Sequence, residues 1–265
     1  MVQVAANSLG MAPEKITFDL GNSDYPMAGN QGGSSTVNTV GSAVQAACKA
    51  LKQKLADVAA KKETSFGTAG VDKITIKDGK LSYADNSTSS IATSDLLKQN
   101  NLQEIEVTES SKAGEEGNNY SKYSFSVHFA EVHVHPQTRE VRVKKVVTCA
   151  DAETIISWKT AANQMISGVT GGIGMALTED AVMDHPLGRY VTKDLADYHV
   201  PVHADVPPVD VWFVNKPDYI VDPIGIKGLG EIAIIGVAPA IANTVFNACG
   251  KRIRELPITP DKILV

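Results

Sequence analysis

The sequence has 265 residues, 43% of them hydrophobic, and a formal net charge of -5, which allows one large or two small cores and excludes a basic nucleic-acid-binding surface. No run is expected to be long enough to cross a bilayer, and no charged, then apolar, leader opens the chain. Cys48, Cys149 and Cys249 are far apart among apolar neighbours. That spacing fits buried thiols in a reducing compartment and offers no zinc or iron–sulfur site.

In chain order, Met1 to Leu9 reads as the tail of an amphipathic helix, with Val2, Val4, Ala5 and Leu9 on one side and no capping signal before it. The pattern predicts a chain that starts inside a domain. After Pro13, Ile16 to Leu20 reads as a short strand, broken by the polar stretch Gly21 to Pro26. Gly29-Asn30-Gln31-Gly32-Gly33-Ser34-Ser35-Thr36 then precedes a helix over Val37 to Ala60, with Val44, Ala47, Cys48, Leu51 and Leu55 at helical spacing. Small residues and hydroxyls there would cradle an oxyanion; the alternative is a flexible loop with a Ser or Thr cap.

Lys61 to Gly70 reads as polar linker, and Val71 to Tyr83 as a hairpin turning at Asp78-Gly79. Thr93 or Ser94 would cap a short helix reaching Lys98, Gln103 to Val107 would be a strand, and Glu109 to Asn119 a mobile surface loop. Ser121 to Val134 and Glu140 to Cys149 alternate as two long strands joined at Pro136-Gln137-Thr138. His133 and His135 share a face at metal-ligand spacing, but with no third ligand nearby they read as exposed edge residues.

Thr160 to Thr178 reads as a helix carrying Gly168, Gly171, Gly172 and Gly174, each costing about 0.5 to 1 kcal/mol relative to Ala. Tight helix packing or a ligand near Gln164 must compensate. Tyr198 to Asp210 is proline-rich and extended, and Val209 to Asn215 is a strand. Last comes Gly225-Ile226-Lys227-Gly228-Leu229-Gly230-Glu231, followed by an apolar helix from Ile232 through Val245 and Ile253, with Pro239 tolerable only in its first turn and Gly250 near its end. Glu231 stands at that helix N-terminus. It is either an acidic cap on exposed amides or a general base at the floor of a ligand site whose glycine amides face an anionic group.

The three stretches Gly29 to Ala43, Thr160 to Met175 and Gly225 to Ala242 together resemble, in order and spacing, the molybdopterin-binding large subunit of the xanthine dehydrogenase and aldehyde oxidase family. The likeness is to bacterial aldehyde dehydrogenases of this family and extends to the tail Leu256-Pro257-Ile258-Thr259-Pro260-Asp261-Lys262. It implies an α+β fold of mixed sheets with packed helices, the C-terminal half of a molybdenum-cofactor-binding domain, with subdomains over 1–120 and 121–265. It implies Glu231 as general base in the oxidation of aldehydes, or the hydroxylation of electron-poor heterocycles such as purines, with water as oxygen source. Gln164 would contact the molybdenum-molybdopterin, with Lys227, Gly228 and Gly230 beside it. Gln31, Gly32, Gly33, Ser34, Ser35 and Thr36 would hold the pterin and its anionic end, as a cytosine dinucleotide in bacteria. No residue of this chain would ligate a metal directly.

Partner modules would carry iron–sulfur clusters and FAD, in the cytoplasm, or in the periplasm if a partner carries an export signal. Two positions depart from the family pattern: Glu153 stands where glycine is usual after Asp151-Ala152, and Trp158 where proline is usual. If that glycine takes positive φ, glutamate there costs about 1 to 2 kcal/mol and shifts the loop. Two other readings remain: a non-catalytic assembly module of such a complex, inactive alone, and an unrelated nucleotide or anion binder using Gly32 to Thr36.

Overall fold

The computed structural model describes residues 1–61, 73–83, 86–112 and 118–264. The expected linker after Lys61 and the centre of the loop over 109–119 lie outside the described residues. The chain is α+β and forms two compact units, Met1–Ser121 with Asp218–Ile226, and Lys122–Pro217 with Lys227–Val265.

In the first unit, α1 (Val2–Leu9) buries Val4, Ala5 and Ala6 and ends on Gly10 in the left-handed region. The long helix α2 (Thr36–Ala60) turns Leu55, Ala56 and Ala59 onto the hairpin of β1 (Ile74–Lys77) and β2 (Lys80–Tyr83), where Ile74, Ile76 and Leu81 are buried with Leu96. Both hairpin turn residues take positive φ, 50° at Asp78 and 74° at Gly79, the mirror-image turn that matches strand twist. β3 (Asn86–Ala92) pairs with β2 and leads into α3 (Thr93–Gln99). Thr93 is the first residue of that helix and caps nothing: its hydroxyl donates to the Gly79 carbonyl (2.9 Å), tying α3 to the hairpin turn.

Two expected strands are absent. Ile16 to Leu20 and Gln103 to Val107 are extended segments outside any ladder. Two or three alternating apolar residues suit an extended chain, but a strand also needs a partner, and neither segment pairs with a described strand. Leu20 is left 78% exposed. Ile105 instead packs onto the hairpin core, where the Lys54 ammonium donates to the Glu106 carbonyl (2.7 Å).

The returning segment Asp218–Ile226 closes this unit by seating Ile224 at Gly41 of α2, where even a Cβ would come within 2.9 Å of the Ile224 Cδ1. Its turn is organised by Asp222, which accepts from the amides of Ile224 (2.8 Å) and Ile226 (3.3 Å). Burial pushes the Asp222 carboxyl above the usual carboxylate range, against those amides, which pull it down.

The second unit is built on β4 (Phe125–Val134), antiparallel to β5 (Val141–Asp151), with β8 (Val209–Val214) parallel to β5 on its other side. The parallel connection runs through α4 (Trp158–Leu177) and a small hairpin of β6 (Met183–Asp184) and β7 (Arg189–Tyr190). Against β4 and α4 packs α5 (Ile232–Cys249). Val143, Val146, Val169, Ile173, Val237, Ile241 and Val245 form the core, closed at the C-terminal end by Ile258 and by Ile263 of α6 (Pro260–Leu264). His135 serves the β4–β5 turn, its Nδ1 accepting from the amides of Gln137 and Thr138 (3.3 and 3.1 Å).

The glycines of α4 are explained by packing. A Cβ at Gly168 would stand 2.6 Å from the Ala233 Cβ, and one at Gly172 would stand 2.5 Å from the Val237 Cβ. Because 168 meets 233 and 172 meets 237, α4 and α5 run in the same direction at near backbone contact.

Three expectations about α5 are corrected. Pro239 lies in the helix interior and not in its first turn. The proline falls on an exposed side, and the Ile235 carbonyl it leaves without a partner belongs to a residue 74% exposed, where water can bind it. The helix ends at Gly250, φ 73°, so Ile253 packs on the core from beyond it. Finally, α5 is 18 residues with a mean hydropathy of 1.7, long and apolar enough to cross a membrane by length and composition, where no such run was expected. Its buried face, Ala233, Val237, Ala238, Ile241 and Val245, is spent inside the unit, as in a core helix of a globular domain.

Candidate cofactor site

Gln31, Gly32 and Gly33 are exposed, and Ser34, Ser35 and Thr36 are half-buried where the chain enters α2. Gly33 and Ser34 take successive φ values of 60° and 59°, which turns the chain back on itself before the helix. Ser35 occupies the cap position, but its hydroxyl donates backwards to the Gly32 carbonyl (2.7 Å) and no side chain caps α2. The flexible-loop-with-cap reading therefore lacks its cap. The first-turn amides of a 25-residue helix are open, no atom lies within 4 Å of a Cβ placed at Gly33, and the buried Asn38 Oδ1 has no partner. Open amides and cleared space fit an anionic group such as a pterin phosphate, whereas the orphaned Asn38 oxygen can only accept and suits an N–H or O–H donor.

In the second unit, Gln164 is exposed on α4 beside the buried Met165, which packs with Ala150, Ala233, Leu229 and Ile232. Glu231 is the cap residue of α5, exposed, and its side chain makes no capping hydrogen bond. Of the two sequence readings, the acidic cap thus lacks its bond and the carboxylate is left available. Because Gly168 meets Ala233 and the two helices run in the same direction, Gln164 on α4 lies at about the level of the start of α5, where Glu231 stands. Lys227, Gly228 and Gly230 are half-buried in the loop leading to them.

That loop is held at several points. Ser124 Oγ donates to the Gly228 carbonyl (2.6 Å) and Ser126 Oγ to the Ile232 carbonyl (3.2 Å). The Lys227 amide donates to the Ala152 carbonyl (3.1 Å), and its ammonium pairs with Glu153, which is 4% exposed. Glu153 does take the positive φ expected of glycine, 64°. The backbone therefore keeps its course, with the expected cost of about 1 to 2 kcal/mol, and the side chain gains a buried partner. Trp158, the other departure, starts α4 and sets its ring edge-on to Phe213 at 5.0 Å between centroids.

Sequence reasoning missed Ser124, Ser126 and His128. The signal was present, since strict alternation in β4 puts Ser126 and His128 on the face that packs α5. His128 sits under α5 with Nδ1 2.9 Å from Thr148 Oγ1 and Nε2 3.0 Å from Ser126 Oγ. The Ser126 hydrogen is committed to Ile232, so the ring donates from Nε2 and accepts at Nδ1, the neutral tautomer. Burial holds its pKa below the usual 6.5. The unfolded chain then binds the proton more readily, so the stability from neutral His128 is fully present above pH 6.5 and is lost as pH falls through the lowered folded value. Thermal midpoints are expected to drop between pH 7 and pH 5 and to drop less in His128→Gln.

The family described as "Molybdopterin cofactor-binding domain" matches residues 1–207. The chain is 38% identical to the aldehyde oxidoreductase molybdenum-binding subunit PaoC of Escherichia coli (strain K12), over 100% of this chain and 34% of that protein. It is 31% identical to the nicotine 6-hydroxylase large subunit of Paenarthrobacter nicotinovorans, over 100% of this chain and 33% of that one. The fold superposes on the Cu,Mo-CO dehydrogenase with a TM-score of 0.82 at 19% identity, covering 99% of this chain and 33% of that one. The chain therefore spans about a third of the length of the relatives it matches. On the match to residues 1–207 and the likeness to these subunits, the chain belongs to the molybdopterin cofactor-binding domain family, within the molybdopterin-binding subunits of the xanthine dehydrogenase and aldehyde oxidase family.

Proposed function

We propose that the protein carrying this chain is a molybdenum hydroxylase that oxidises aldehydes, with Glu231 as its general base. The observation that carries the reading is an exposed, uncapped Glu231 at the end of a glycine loop pinned by Ser124, Ser126 and Lys227, at about the level of Gln164 along the packed helix pair. When bound, the molybdenum-molybdopterin supplies the two-electron redox chemistry. Glu231 takes up the proton that water releases as its oxygen passes to the substrate, and an open carboxylate on a fixed backbone suits that task. Gln164 hydrogen-bonds the cofactor, the amides of Gly228 and Gly230 line its approach beside Lys227, and Gln31 to Thr36 grip its anionic end, a cytosine dinucleotide in this reading. Iron–sulfur and FAD subunits complete the electron path. The similarity to PaoC supports an aldehyde over a heterocycle.

The test is the molybdenum and pterin content of the protein purified with its partner subunits, together with reduction of an artificial acceptor by aldehydes and by hypoxanthine. Near-stoichiometric molybdenum with faster aldehyde turnover is expected. Protein that binds no molybdenum would put an assembly role in place of catalysis, and faster hypoxanthine turnover would overturn the aldehyde assignment.

A further inference from the structure

The glycines that make Gly228-Leu229-Gly230-Glu231 adaptable also leave it few side chains of its own, so its position depends on what grips its two ends. Downstream the grip is α5 itself, with the Ser126 hydroxyl on the Ile232 carbonyl (3.2 Å). Upstream it is Lys227, joined to the end of β5 through its amide on Ala152 (3.1 Å) and its ammonium on Glu153. The ion pair is shielded from water, the two side chains being 14% and 6% exposed. Glu153 reaches it from a φ of 64°, a conformation that persists in a non-glycine residue only where the surroundings over-determine it.

We propose that Glu153 is a positioning residue for the glutamate-bearing loop. By drawing Lys227 onto the end of β5 it fixes the upstream end of Gly228–Glu231 and so sets where the Glu231 carboxylate stands. The consequence for turnover rests on Glu231 being the base. The other upstream contacts, Lys227 N–H to the Ala152 carbonyl and Ser124 Oγ to the Gly228 carbonyl, use backbone acceptors that any residue at 153 would leave in place. Of these contacts the charge pair alone uses the side chain of residue 153, and its burial strengthens it electrostatically.

The test compares Glu153→Gln, the double variant Glu153→Gln with Lys227→Met, and Glu231→Gln, all in the native protein that carries this chain. Turnover is taken per bound molybdenum, KM is measured alongside, and amide hydrogen exchange is followed residue by residue. Glu153→Gln is expected to speed exchange at Gly228 to Glu231 about tenfold relative to the rest of its unit, and to lower kcat about tenfold with KM within about twofold. The double variant, which removes both charges of the buried pair, should regain thermal stability while the loop stays loose and turnover stays low.

Unchanged loop exchange in Glu153→Gln would overturn the proposal, and so would exchange rising equally across the unit. Recovery of both exchange and turnover in the double variant would also sink it, since the buried charge alone would then be the cause. If Glu231→Gln keeps full turnover while Glu153→Gln still loosens the loop, the base assignment fails and the anchoring stands.

Discussion

Glu231→Gln is expected to lower kcat about a hundredfold or more while leaving molybdenum and pterin content unchanged, because a general base contributes about 10²- to 10⁴-fold and the amide cannot take up a proton. The fold should be indifferent. Glu231 is exposed and its side chain caps nothing, so the change in stability should stay within about 0.5 kcal/mol. Glu231→Asp keeps the carboxylate but withdraws it from a backbone that the serines and Lys227 hold still, and its turnover should fall between the two. Metal content, unfolding midpoint and turnover measured on the same preparations check all three statements. Loss of metal in Glu231→Gln would make the residue a cofactor ligand and not a base.

The second large effect lies between the helices. Gly168→Ala would ordinarily gain about 1 kcal/mol from helix propensity, yet here the new Cβ meets the Ala233 Cβ at 2.6 Å and the Ile234 backbone nitrogen at 2.9 Å, atoms of a packed helix that cannot step aside. It should destabilise, and Gly168→Leu should cost about 3 kcal/mol, the upper end for overpacking. Gly171→Ala is the control, since its Cβ would touch only the end of the Ile234 side chain, at 3.1 Å, and it should be near neutral. Urea unfolding of the three variants separates the cases, and equal midpoints would show that the helices are free to part.

Much of this was legible in the sequence because it was written in period. The β4–β5 alternation, the Asp78-Gly79 turn and the α2 and α4 periodicities each depend on neighbours a few residues away, and each element formed where the pattern placed it. Ile16 to Leu20 and Gln103 to Val107 misled because a strand is a partnership, and sequence alternation does not say which strand, if any, will pair with it. Pro239 misled because the usual penalty assumes a buried carbonyl, and the exposed side of α5 relaxes it.

The site divides in the same way. Gln164 and Glu231 could be marked by motif, and the need for a compensating contact at Gly168 and Gly172 could be stated, but which of packing or ligand supplied it required Ala233 and Val237 in place. Glu153 was visible only as an irregularity. Its partner lies in a stretch 74 residues further along the chain, a separation that no local rule spans.

The register of α4 and α5 carries an electrostatic consequence. Because Gly168 meets Ala233, the start of α5 lies against the middle of α4, ten residues or about 15 Å from the start of α4 at Trp158. Peptide dipoles sum along a helix to a partial positive charge at its start, and the positive end of α5 therefore faces a stretch of α4 that carries no helix end of its own to reinforce or cancel it. An acidic side chain or a bound anion at that place is favoured by the field of α5 even before any single hydrogen bond is counted, and added salt should weaken that preference.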